Sequence, residues 1–221
     1  MTMKIIACEV MKKELLSITP VLDVEFEFIS MNLHLYPEKL RKELQCIIER
    51  STGYSRIILA FGLCGGAAKG LVPTHCTLTI PKVHDCISIF LDSGKLNQGI
   101  YEKKTGTFYL SCGYMNSEKS ILAEHNRIKD KYGEKKALKV LSRMYEGYNQ
   151  ILFIKTGCCS EKADIEQSEE IAKLLNLSHD TIKGSDTFIE QIVKGPWDND
   201  KFINISPGGI VKEDDFNIGI K

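Results

Sequence analysis

Arg56-Ile57-Ile58-Leu59-Ala60-Phe61-Gly62-Leu63-Cys64-Gly65-Gly66 is the stretch whose reading decides the fold. After the arginine its first half is apolar at every position, so it has no water-facing side and reads as a strand buried on both faces, as in a parallel sheet covered by helices. The second half turns to glycines around a cysteine, the composition of a loop leaving such a strand. Related apolar runs recur at residues 4–8, 24–29, 77–80, 107–110, 151–154 and 202–205.

Helical patterns lie between these runs. Residues 37–50 open on a proline suited to a first helical turn and place Leu40, Leu44, Ile47 and Ile48 on one stripe. His84 or Asp85 can open a short helix carrying Ile87, Ile89, Phe90 and Leu91, and Ser117 precedes a charged helix that stops at Gly133. Further helices read at residues 134–145, 164–175 and 186–193. Strand and helix alternate, which predicts an α/β fold: a doubly wound, mostly parallel sheet with helices on both faces. At 221 residues the chain fits a single domain, 1–221, or two small lobes, 1–100 and 101–221, divided in the polar stretch 94–106.

Lys+Arg and Asp+Glu both number 29, so no net field draws the chain to polyanions, and no nucleic-acid motif occurs. Neither a secretory leader nor an apolar run of membrane-spanning length is present, so the expectation is a cytoplasmic protein with no nucleic-acid or membrane partner. The eight cysteines are then expected to be reduced, some as metal, redox or nucleophile groups and others, Cys46 among them, as small core residues.

In a parallel sheet the residues just past each strand end gather along one edge. That rule collects Cys8, then Ser30 and His34, then Gly62 to Gly66, then His84-Asp85-Cys86, with later strand ends adding Cys112, Cys158-Cys159 and Ser206-Pro207-Gly208-Gly209. Cys64, His84 and Cys86 form the sharpest constellation, because two thiolates and an imidazole suit zinc and leave a fourth position open. Cys8 is the favoured fourth ligand, with Cys112 and Cys158 behind it. Asp85 is placed to cap a helix or to orient a ligand. Gly65 and Gly66 offer backbone N–H groups that could cradle an anion, helped by Lys69, although neither a phosphate loop nor a full dinucleotide fingerprint is present. His75-Cys76 precedes a strand and belongs to the opposite edge. His34 precedes a helix and could reach the crevice, but reads first as a satisfied helix-start histidine; His125 and His179 read as exposed helical residues, and Trp197 as a lid or packing anchor. The metal-free alternative is a cysteine nucleophile, Cys64 or Cys86, activated by His84.

The pattern of Cys8 with Glu14, Leu33-His34 before Pro37 and Leu40, Gly62-Leu63-Cys64-Gly65, and Ile80-Pro81 before His84-Asp85-Cys86-Ile87 resembles the family catalogued as domain of unknown function 1638. Gly106-Thr107-Phe108-Tyr109-Leu110, Lys131-Tyr132-Gly133 and the strand end at residues 154–157 extend the resemblance over nearly the whole chain, while Ser111-Cys112-Gly113-Tyr114 and Cys158-Cys159 depart from it. The family has no settled activity. Its members occur beside corrinoid-dependent methyl-transfer systems, which implies methyl or thiol chemistry by association. The expectation is a zinc-like site, or an iron-sulfur cluster in its place, on Cys8, Cys64, His84 and Cys86, acting on a small thiol, methyl donor or methyl acceptor. The alternative is a non-catalytic accessory module that docks with a corrinoid protein or methyltransferase.

Overall fold

The computed structural model describes residues 2–91, 105–158 and 161–216; most of the 94–106 stretch therefore lies outside the described residues, as does Cys159. The chain folds as two compact units, residues 1–93 with 186–221, and residues 94–185.

The first unit is built on a five-stranded sheet of β1 (Met3–Cys8), β2 (Val24–Ile29), β3 (Arg56–Ala60), β4 (Thr77–Pro81) and, from the far end of the chain, β8 (Phe202–Ile205). The spatial order is β2-β1-β3-β4-β8, parallel throughout except for β8, which runs antiparallel to β4. β1 is buried at all six positions, apolar except for Lys4. At the edge, β2 alternates Phe26 and Phe28 with Glu25 and Glu27, and both carboxylates pair with the Lys4 ammonium of β1 at 3.0 and 2.8 Å. The helices of this unit are α1 (Lys12–Ser17), α2 (Pro37–Arg50), α3 (Cys86–Phe90) and α8 (Thr187–Lys194), with α8 packed against α1 and α3.

The second unit carries a parallel sheet of β5 (Thr107–Leu110), β6 (Gln150–Lys155) and β7 (Ser178–Lys183), in the order β5-β6-β7. Its helices are α4 (Cys112–Met115), α5 (Ile121–Tyr132), α6 (Glu134–Met144) and α7 (Glu161–Leu175), around a core of Leu110, Met115, Ile121, Ile151, Phe153, Ile171 and Ala172.

The α/β class and the mostly parallel pairing are as the sequence predicts, but the strands form two sheets in place of one. Short or polar elements escape the apolar pattern. β7 alternates exposed and half-buried residues, has a single large apolar side chain, Ile182, and so reads as loop. The expected start at Ser117 moves to Ser120, whose hydroxyl caps α5 by accepting the Ala123 N–H. Cys46, expected in the core, is exposed, because it lies about 200° around α2 from the buried Leu44.

Candidate functional site

β1, β3 and β4 are adjacent and parallel, so their C-terminal ends stand side by side. Cys8 is the last residue of β1, Cys64 follows in the loop after β3, and Cys86 opens α3 after β4. Between β1 and β3 the chain order reverses, the switch point at which open α/β sheets form a crevice.

The loops after β3 and β4 are laced together. The Leu63 N–H donates to the Val83 carbonyl and the Cys64 N–H to the His84 carbonyl, each at 2.9 Å. Gly62 is what permits this approach. A Cβ there would stand 2.6 Å from both the Asp85 nitrogen and the Val83 oxygen, a distance that backbone atoms do not tolerate. Cys64 then takes a left-handed conformation, φ +47°, and Gly65 and Gly66 follow at +67° and +89°. For a non-glycine residue this is a strained backbone, of the kind that concentrates at functional sites. From α2, the Arg41 guanidinium donates to the Gly66 carbonyl at 3.0 Å, and the Gln45 amide exchanges two hydrogen bonds with the Val72 backbone. Across the next crossing, the Glu9 carboxylate accepts from the Met31 N–H at 2.9 Å and the Ser30 hydroxyl at 3.3 Å, joining the end of β1 to the end of β2.

Burial dominates the electrostatics of the sulfurs. It pushes the Cys8 thiol up to about 12, with Cys86 adding to the rise. It also pushes Cys64 to about 12, with Asp85 and Cys8 adding, and it raises Cys86, with Cys64 and Asp85 adding. The three thiols therefore lie close enough to disfavour one another's ionisation. Backbone hydrogen bonds oppose that rise at every sulfur: from Glu9 and Val10 at Cys8, from Gly62 and the Cys86 backbone at Cys64, and from Cys86 itself and Ile87 at Cys86.

The other residues singled out in the sequence fall elsewhere. His84 contributes its carbonyl to the loop pairing while its side chain is exposed, so its imidazole is not packed among the thiols. Asp85 takes the capping role, accepting from both the Ser88 N–H and hydroxyl at 2.9 Å. The Gly66 N–H is spent on the Leu63 carbonyl, and Lys69 pairs with Glu213 at 2.8 Å on the surface. Cys112 and Cys158 follow β5 and β6 and so belong to the other unit; the Cys158 sulfur lies 3.2 Å from the Thr156 hydroxyl. Cys112 is disulfide-bonded, against the expectation of reduced thiols. Because β8 is antiparallel, Ser206-Pro207-Gly208-Gly209 leaves at the opposite edge, where the Gly208 N–H donates to the Pro73 carbonyl. Cys76 lies at that edge too, next to Arg56. Trp197 is a packing anchor: its indole N–H donates to the Ile192 carbonyl and the Arg56 guanidinium sits 5.1 Å from its ring.

The remaining histidines correct the reading of exposed helical residues. His125 is buried on the Ile121 and Ile128 stripe of α5, with Nε2 3.1 Å from the Glu134 carboxylate. His179 is on β7, with Nε2 2.8 Å from the Ser168 hydroxyl. His34, expected to be satisfied at a helix start, has an Nε2 that is buried with no hydrogen-bond partner among the described residues. Its ring lies against Phe61, centroids 5.8 Å apart and planes 18° from parallel. Burial holds its pKa below the ordinary histidine value. Among the described residues no group of three or more Cys, His, Asp or Glu side chains is placed to hold a metal ion.

The family model described as a protein of unknown function, DUF1638, matches residues 28–193, most of the chain. The chain belongs to this family. His34, Cys64, His84 and Cys86 lie inside the DUF1638 match and Cys8 precedes it. No curated protein and no solved structure matches the chain. No helix among the described residues is long and apolar enough to cross a membrane.

Proposed function

We propose that this DUF1638 protein holds a thiophilic ion, zinc in the first instance, on Cys8, Cys64 and Cys86, and uses that edge to engage a small thiol, methyl donor or methyl acceptor. The observation that carries this reading is the mismatch around the sulfurs. Each sulfur has two backbone N–H groups beside it, which favour an anionic sulfur, yet burial and mutual proximity oppose its ionisation. A cation resolves the mismatch, because it neutralises the charge that burial opposes, and the same N–H groups then orient and tune the ligating sulfurs. Binding would release the thiol protons, so uptake should strengthen with rising pH. A bound zinc-like ion supplies Lewis acidity, which keeps a bound thiol or water deprotonated near neutral pH. The laced Cys64 loop and the Cys8 strand end both hold their sulfurs on fixed backbone.

The metal-free nucleophile reading runs against the same facts, since a reactive cysteine needs a lowered pKa and all three are raised. The assignment to methyl or thiol transfer beside corrinoid-dependent methyltransferases rests on the family resemblance. Elemental analysis of protein purified without oxygen tests the reading. The expectation is about one zinc ion per chain. Colour with bound iron and sulfide would instead assign an iron-sulfur cluster, and a folded chain with neither refutes the metal reading.

One observation favours the accessory-module reading. Leu16, Val21 and Leu22 are each more than half exposed, within seven residues of α1 and the loop into β2. Large apolar side chains exposed this closely are a docking signal, here for a corrinoid protein or methyltransferase. Val21→Glu with Leu22→Glu should abolish binding of such a partner while leaving metal content unchanged, and unchanged binding would dismiss this reading.

A further inference from the structure

We propose that the imidazole serving the thiol site is His34, in place of His84; this rests on the metal reading above and assigns its remaining protein ligand. Buried polar atoms in native proteins find partners, and a buried nitrogen left without one points to a group that is absent. His34 Nε2 is such an atom among the described residues. Its place in the fold ties it to the elements that carry two of the thiols. The 3-10 turn of Met31–Leu35 is pinned by Glu9, the residue after Cys8. Its ring is stacked on Phe61, which opens the loop to Cys64. Pro37, just beyond the turn, stands 3.4 Å from where a Cβ on Gly65 would lie. His84 has none of these ties, because its backbone is committed to the loop pairing and its side chain faces water.

A neutral imidazole is the form that ligates, and the environment of His34 favours that form by desolvating the ring. With three thiolates and one imidazole the set becomes Cys₃His, a complete tetrahedral donor set for zinc. Among the described residues these four are not placed to hold an ion as they stand, so ligation requires their side chains to move together. A substrate thiol would then exchange for His34, the only neutral ligand: the bond to the imidazole would break as the bond to sulfur forms, and the freed imidazole would accept the thiol proton.

Anaerobic titration of the full chain with cobalt(II), comparing wild type, His34→Gln and His84→Gln, tests this. His34→Gln should keep the sulfur-to-cobalt charge-transfer band, change the ligand-field bands and weaken cobalt binding about tenfold or more; His84→Gln should match wild type. A long-range proton–nitrogen NMR spectrum of the zinc-loaded wild type, with His34 assigned through bonds from its backbone, should show its Nε2 metal-bound, and it decides the matter if His34→Gln fails to fold. A wild-type charge-transfer band with His34→Gln unchanged, or an NMR signature on His84, overturns the His34 assignment alone. Absence of that band in wild type overturns the metal reading and the assignment together.

Discussion

The two units carry the same motif, a parallel sheet with cysteines past its strand ends, and treat it differently. In the first, Cys8, Cys64 and Cys86 come from three adjacent strands, remain free and raise one another's pKa. In the second, Cys112 is consumed by a disulfide and Cys158 is held beside the Thr156 hydroxyl. A strand end therefore supplies a cysteine with an address only. What the first unit adds is the close lacing of the loops after β3 and β4, made possible by Gly62 and pinned from α2 by Arg41 and Gln45.

The largest effect that would break this contrast lies in the thiols. Cys64→Ser with Cys86→Ser should take bound metal from about one ion per chain to none by elemental analysis, whereas Cys158→Ser should leave it untouched; equal losses would erase the distinction between the units. Next comes the lacing. Gly62→Ala forces a methyl group onto backbone and should cost about 1–3 kcal/mol in chemical unfolding, a fall of roughly 2–4 °C in melting temperature per kcal/mol. In the second unit, Gly133→Ala meets nothing within 4 Å, but its φ of +81° and ψ of +160° are open essentially to glycine alone, so it should cost a similar amount, about 1–3 kcal/mol, while leaving bound metal unchanged. A third, smaller effect concerns pH. Burial lowers the folded pKa of His34, so its contribution is intact above the unfolded value of about 6.5 and is lost as pH falls below it toward the folded value. In urea unfolding of metal-free protein, His34→Phe should flatten that loss; an unchanged pH profile would mean the ring is hydrated. The smallest is Lys69→Ala. Its partner Glu213 is exposed, so neither stability nor metal content should change measurably, and a loss of metal would restore Lys69 to the site.

Much of this was legible in the sequence because burial on both faces leaves an unbroken apolar run. The run at residues 56–61 marks β3, and its glycines mark the loop that bears Cys64. The gathering of Cys8, Cys64 and Cys86 at one edge follows from parallel pairing, and the structure has them at or just past the ends of the adjacent strands β1, β3 and β4. The histidines were legible only in part, since the strand-end rule brings both His34 and His84 to that edge without saying which ring turns inward. Whether His34 or His84 turns inward depends on which residue spends its backbone on the loop pairing and which ring finds Phe61, both tertiary contacts with no local signal. An early hint was the proline at 37, which fixes the start of α2 and leaves the preceding turn to fold against the strand ends. The separation of β5, β6 and β7 into their own sheet was hidden for a similar reason, since strand order is set by pairing partners and β7 lacks an apolar run.

X-ray absorption at the metal edge of protein purified without oxygen measures the central claim most directly, because it counts the atoms bound to the ion. Three sulfur scatterers at about 2.3 Å with one nitrogen at about 2.0 Å are expected. A shell of oxygen and nitrogen alone, with all three thiols still open to alkylation in the metal-loaded protein, would contradict it.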